Sequence, residues 1–176
     1  TNVARSVSDV VLEDDNLHTM TVAVRQGRTI YNNIRKMIHF MVSTNLTEIE
    51  VMLAGIALGL GQPMNPMQLL WINLVTDIFP GLALSMEPAE PDIMERVPRD
   101  PDEAIIEGRD LKRMTFESGI IGVGTMGAYL WGMKRYGGGA AASTMAFNSL
   151  TLNELVHSFS SRSRYRNVLT TERTLP

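Results

Sequence analysis

The sequence predicts an all-α membrane protein, in which four transmembrane helices follow a short strand and a stalk helix. Three observations carry that expectation. Charge is segregated: residues 37–86 hold only Glu48, Glu50 and Asp77, and residues 118–153 only Lys134 and Arg135, in a chain with 16 basic and 19 acidic side chains. Four stretches approach the roughly 20 mostly apolar residues that a spanning helix needs. The basic residues gather on one side of those stretches, as the rule for cytoplasmic loops demands. A mean hydropathy near zero hides this division. With no cysteine and a net charge of −3, the composition excludes a disulfide scaffold and a basic nucleic-acid binder, and 44% hydrophobic residues exclude a disordered chain.

In chain order, residues 8–12 (Ser-Asp-Val-Val-Leu) form a brief β-branched run that ends at an acidic turn, which predicts a short buried strand. Asp14-Asp15-Asn16 offers a helix N-cap. From there Leu17, Met20, Val24, Ile30, Ile34 and Ile38 fall near helical spacing, so residues 17–36 read as a stalk helix. Continued into the first membrane segment, it makes a rod of about 40 residues, roughly 60 Å at 1.5 Å per residue. The membrane segments are 37–60, 66–86, 114–133 and 140–160. The last is the most polar, with Asn148, Ser149, Thr151, Asn153 and Glu154 inside it, and it needs protein neighbours to insert. Residues 87–113 form an irregular loop broken by Pro88, Pro91, Pro98 and Pro101, and residues 161–176 form a tail.

Arg25, Arg28, Arg35 and Lys36 precede the first segment. Arg96, Arg99, Arg109, Lys112 and Arg113 lie between the second and third, and Arg162, Arg164, Arg166 and Arg173 follow the fourth. Both termini and the middle loop are therefore expected on the cytoplasmic side. With no initiator Met, the chain is expected to belong to something longer.

The informative residues are polar ones inside apolar segments. Asn45 and Glu48 are three apart, about 60° on a helix, whereas Glu50 points elsewhere. Asn73, Thr76 and Asp77 share one face of the second segment, and Pro80-Gly81 follows where a helix can open and free carbonyls. Glu154 is a further carboxylate. This set of carboxylate, amide and hydroxyl oxygens, with no His or Cys among them, suits a hard cation such as calcium rather than zinc or copper. A single Asn or Thr in such a helix is ordinarily interhelical glue. Clustered carboxylates on consecutive helices weigh towards an ion path. Glu50 is left between a lateral contact and a contribution to that path. Gly119, Gly122, Gly124 and Gly127 read as a smooth packing face. His18, His39 and His157 have no partner at metal spacing in the sequence and receive no role, and the charged run 92–107 reads as a solvated loop or a contact with a neighbouring domain.

Residues 9–16 (Asp-Val-Val-Leu-Glu-Asp-Asp-Asn) and 27–33 (Gly-Arg-Thr-Ile-Tyr-Asn-Asn) resemble the end of the phosphorylation domain and the stalk of P-type ATPases. Residues 43–48 (Ser-Thr-Asn-Leu-Thr-Glu) look like the fifth transmembrane helix of the calcium-pump group, of the sarco/endoplasmic-reticulum type. Residues 68–77 (Gln-Leu-Leu-Trp-Ile-Asn-Leu-Val-Thr-Asp) are similar to its sixth, and Asp92-Ile93-Met94 with Pro98-Arg99 match the loop that follows. The likeness is continuous to about Ile106 and thins beyond. The Gly-rich third segment and Thr144-Met145-Ala146, ten residues before Glu154, fit the seventh and eighth helices.

The resemblance implies cation ligation by Asn45, Glu48, Asn73, Thr76, Asp77 and Glu154, with Asp77 placed to bridge two ions. It implies calcium as the transported ion, with manganese or sodium as alternatives, and an ATP-driven translocase whose carboxylates take up protons after release. ATP and Mg belong to the complete pump. This chain holds no Asp-Lys-Thr-Gly phosphorylation motif, so it is expected not to hydrolyse ATP alone. Thr47 and Glu50 depart from the family pattern, and the short loop before the fourth segment suggests a prokaryotic plasma-membrane pump. The expected partners are the lipid bilayer and the rest of the pump, with no nucleic acid. A channel or secondary transporter independent of ATP would have no use for the stalk, and a membrane scaffold would use the buried acids for assembly rather than flux.

Overall fold

The computed structural model describes residues 2–11, 16–100 and 103–162, and these are helical wherever they are regular. In order they are α1 (Asn2–Val7), α2 (Leu17–Ala57), α3 (Pro66–Trp71), a π-helical turn (Ile72–Thr76), α4 (Ile78–Ser85), α5 (Gly108–Tyr136) and α6 (Ala140–Ser161). The expected strand does not form among the described residues: Ser8–Val11 are irregular. A strand needs a neighbouring edge for its backbone groups, and no other described segment supplies one. Leu12, Glu13, Asp14 and Asp15 of that reading, Pro101, and Arg164, Arg166 and Arg173 of the tail lie outside the described residues.

Helix α2 is the axis of the fold. Its 41 residues start at the N-cap Asn16, whose side chain accepts from the His18 N–H at 2.9 Å. It ends because Gly59 and Gly61 take positive φ, which turns the chain sharply. Pro63 then folds back on Gly55, where an added Cβ would meet the Pro63 Cδ at 2.5 Å. Asn65 opens the next helix with a capping box to Gln68 and Pro66 at its first turn. The π turn sits between α3 and α4. Its Asp77 N–H reaches back five residues to the Ile72 carbonyl at 3.0 Å. Thus the irregularity lies before Asp77, and α4 runs through Pro80-Gly81 without the break expected there. Helix α5 stops at Gly137, in the left-handed conformation that suits glycine.

Helix α2 packs against α4, α5 and α6, and α5 lies along α6. The packing is closest at Gly132, where a Cβ would stand 2.9 Å from the Ala142 Cα. A Cβ on Gly122 would meet Glu50 and Val51, and one on Gly124 would meet Asn153, at ordinary contact distances of 3.5–3.8 Å. Gly119 and Gly127 face open space, so the expected glycine face is only half used for packing. At the end away from the basic loops, Tyr129 donates to the Leu60 carbonyl and Ser143 to Gln68, tying α5 and α6 to the turn and to α3.

Two helical spans, Leu17–Ala57 and the bent Pro66–Ser85, are long and apolar enough to cross a membrane. Much of the apolar surface of both spans is left uncovered by the rest of the bundle. Leu53, Ile56, Leu74, Phe79, Val123, Trp131, Val156 and Phe159 point outwards, an apolar surface suited to lipid or to further helices. Helices α5 and α6, over the third and fourth expected segments, have the length, 29 and 22 residues, but are not among the spans apolar enough to cross.

The middle loop is bound to the stalk rather than loose in solvent. Arg28 donates to the carbonyls of Ile93 and Arg96, and Asn33 to those of Ser85 and Glu87. Arg35 pairs with Glu103 and Asp110, each at 3.0 Å. Buried Lys36 meets Glu90 at 2.7 Å, and Arg96 pairs with the same carboxylate. Burial alone would raise the Glu90 carboxyl, but hydrogen bonds from Lys36, Arg96 and Asn32 hold it below its ordinary range. A carboxylate held down in the folded state stabilises it above the unfolded value, and that stabilisation is lost as pH falls through the folded value. Proteolysis of the 87–100 loop should therefore accelerate below the ordinary glutamate value of 4.5 in wild type. Glu90→Gln should accelerate it already at neutral pH, because Lys36 is then buried without its counter-charge, at a cost of about 3 kcal/mol.

Candidate cation site

Where α2 passes the π turn, the bundle interior is polar. The Asn73 amide nitrogen lies 2.9 and 2.8 Å from the two Glu48 oxygens, which share one of its hydrogens, and its other hydrogen goes to the Leu69 carbonyl. Asp77, 1% exposed, accepts from the Thr44 hydroxyl at 3.0 Å through Oδ2, while its Oδ1 has no partner. Glu154 is 0% exposed, and neither of its carboxylate oxygens is hydrogen-bonded. The charges of Asp77 and Glu48 reach it electrostatically. Thr76 is buried on the π turn next to Asp77, and Pro80 has no N–H to offer the Thr76 carbonyl four residues before it. Helices α2, α4 with its π turn, and α6 thus deliver three carboxylates to one enclosed region.

This arrangement has more acceptors than donors. Three buried carboxylate oxygens without a partner cost several kcal/mol in an apolar interior unless a cation or protons answer them. The π turn contributes directly: such turns cluster at functional sites because they displace side chains and carbonyls from α-helical register.

Of the six residues singled out from the sequence, Glu48 and Asn73 are bonded to one another, and Asp77 and Glu154 share their electrostatic environment. Asn45 differs: its amide turns along its own helix and donates to the Met41 carbonyl at 2.7 Å. Glu50 faces α5, where Ser118 donates to it at 3.0 Å, so it is a lateral contact away from this cluster. Sequence reasoning missed Thr44. The signal was available, since Thr44 precedes Glu48 by four residues and shares its helix face. It also missed Thr151, three residues before Glu154, whose buried hydroxyl lacks a partner.

Helices long and apolar enough to cross a membrane, packed around a buried oxygen-rich cluster, define the class: a helical bundle of membrane type with a polar core. Residues 61–175 match the family described as cation transporting ATPase, C-terminus, and the chain belongs to that family of P-type ATPases. It is 38% identical to calcium-transporting ATPase 1 of Bacillus cereus over 96% of this chain and 21% of that protein. It is 42% identical to the calcium-transporting ATPase of Bacillus subtilis over 93% of this chain and 18% of that protein. The endoplasmic reticulum calcium ATPase srcA of Aspergillus fumigatus is 42% identical over 74% of this chain and 14% of its own length. The chain therefore spans about a fifth of the length of the curated relatives it matches.

The Thr44 hydroxyl is the one hydrogen-bond donor on Asp77's side chain among the described residues. Thr44→Val keeps the shape and removes it, leaving the carboxyl group wholly unpartnered. In protein freed of divalent ions, the thermal midpoint should fall by an amount equivalent to about 1–3 kcal/mol.

Proposed function

We propose that this chain is the cation-transport portion of an ATP-driven pump that moves calcium, and that Glu48, Asn73, Thr76, Asp77 and Glu154, together with Asn45, ligate the ion in transit. The observation that carries the reading is the enclosed surplus of carboxylate oxygen: Asp77 Oδ1 and both oxygens of Glu154 are buried without a partner. Calcium takes six to eight oxygens at 2.3–2.6 Å and accepts amide, hydroxyl and carbonyl donors beside carboxylates. The donor types here are of that kind, with no thiol or imidazole among the six. The calcium-transporting relatives support the same ion.

The geometry suggests how the parts divide the work. In the ion-free arrangement the Asn73 amide occupies both Glu48 oxygens, and Thr44 occupies one of Asp77. An arriving ion displaces these donors and turns the Asn73 amide so that its oxygen faces the metal. When the ion leaves, the carboxylates take up protons, which spares the interior three unpaired negative charges. The continuous helix α2 links this cluster to the stalk, so force applied beyond residue 36 acts on Glu48 directly. ATP and Mg act in the complete protein, on domains that this chain does not contain. Bacterial relatives and the short turn at 137–139 support a prokaryotic plasma-membrane location.

The test is ATP-dependent uptake of radioactive calcium into inside-out vesicles by the complete protein. Asp77→Asn should abolish uptake, and Glu154→Gln should weaken it and alter its pH dependence. Glu50→Gln, away from the cluster, should leave calcium affinity within about twofold, the scale of surface changes of ±0.5 kcal/mol. Calcium affinity unchanged by Asp77→Asn sinks the ligand assignment. ATPase activity stimulated by manganese or sodium in place of calcium sinks the ion.

A further inference from the structure

We propose that His39, Glu117 and His157 form a second metal site, one for a divalent transition-metal ion of the zinc type, which ties α2, α5 and α6 together at the basic end of the bundle. The three residues are far apart in sequence, but the antiparallel helices bring them to one depth. His39 stands near the start of the first membrane segment, Glu117 near the start of the third and His157 near the end of the fourth. Their nearest ligating atoms all lie within 4.8 Å of one another. The His39 Nε2 is 2.7 Å from the Glu117 Oε2, and the His157 Nε2 is 3.8 Å from the same oxygen. A tetrahedral zinc ion with bonds of about 2.0–2.1 Å sets its ligands roughly 3.3 Å apart, so side-chain shifts of under about 1.5 Å complete the set.

Two further observations point to a ligand. The His157 side chain is 92% buried, its exposure being 8%, and its Nε2 has no hydrogen-bond partner although it is aimed at Glu117. A buried imidazole nitrogen left bare is costly, and a metal bond answers it. Glu117 is also oriented from behind: the Arg113 Nε holds its Oε1 at 2.7 Å, so Oε2, which meets the His39 Nε2 at 2.7 Å here, is the oxygen that turns to the metal when the ion takes the place of that contact. Phe40, fully buried, stacks on the His157 ring at 6.0 Å and fixes its plane.

Two imidazoles and one carboxylate with a fourth position open are a zinc set, whereas calcium prefers oxygen throughout. The site differs from the oxygen cluster in chemistry and in its third helix, α5 in place of α4, and adjoins it along α6, where His157 lies three residues beyond Glu154, about 4.5 Å along the helix axis. A cavity of about 40 Å³ lined by His39, Arg113, Met114 and Ser160 reaches His39, one of the three residues, from the loop side. Arg35 and Lys36 at its mouth are already paired with Glu103, Asp110 and Glu90, which lowers the barrier to an arriving cation.

The proposal does not depend on the transport reading, because its test needs no ATP and no flux. The complete protein, purified in detergent and stripped of metal, is titrated with Co2+ as a spectroscopic probe and then with Zn2+. One equivalent of Co2+ should give the intense visible absorption of a tetrahedral site, and Zn2+ should displace it. Excess Ca2+ should leave it unchanged. His157→Gln and His39→Gln should each abolish the band while the elution profile and helical circular dichroism stay intact. X-ray absorption of the zinc-loaded wild type should read two imidazoles and an oxygen donor, which settles the matter even if the variants fail to fold. No Co2+ or Zn2+ bound at stoichiometric concentration overturns the site. So does a band that Ca2+ removes, or a zinc shell without two imidazoles.

Discussion

Helix α2 cannot be interrupted, and most of the structure follows from that. In the apolar segment from residue 37 every backbone group must find its partner within the helix, and the same ladder continues unbroken through the stalk, so 41 residues run from the N-cap Asn16 to the glycine turn after Ala57. The sequence nevertheless places polar side chains along the whole rod, and each zone is answered by a different neighbour. The basic residues from Arg28 to Lys36 are met by the middle loop and its acids. His39 is met by Glu117 of α5, Thr44 by Asp77, Glu48 by Asn73, and Glu50 by Ser118. The other helices are arranged by these pairings as much as by their apolar contacts.

The two buried clusters differ in a way that matters chemically. Around Glu48, Asp77 and Glu154 the ligating groups are oxygens, and three of the carboxylate oxygens are unpartnered. Around Glu117 the carboxylate is fully engaged by Arg113 and His39, and the unpartnered atom is an imidazole nitrogen. One excess calls for a hard cation or protons, the other for a metal that accepts nitrogen. Each cluster joins α2 and α6 to a third helix, α4 with its π turn in the first and α5 in the second.

The middle loop is the other mechanical element. Through Arg28, Asn32, Asn33 and Lys36 it grips about two and a half turns of α2, and Glu87 receives Arg162 from the end of α6. Movement of the stalk therefore carries the loop and the ends of α4 and α6 with it. The stretch around Pro88 and Pro91, irregular by composition, is held against α2 because its acid Glu90 finds the buried Lys36 and Arg96 rather than water.

What the sequence by itself determined was the helical class, the apolar segments, the stalk continuous with the first of them, and the polar residues that stand out inside them. These are local properties: period, length and charge along one chain. Hydropathy reads a helix boundary, and a carboxylate in an apolar run needs no partner to be conspicuous. Tertiary structure alone decided which oxygen faces which. It turned Asn45 along its own helix, sent Glu50 to Ser118, brought Thr44 to Asp77, and moved the helix irregularity from Pro80-Gly81 to a π turn that no local propensity announces. It also joined His39, Glu117 and His157, which are 78 and 40 residues apart and share no motif. Such contacts depend on the rotation and depth of each helix against its neighbours, and those are fixed by packing between helices rather than by the order of residues along any one of them.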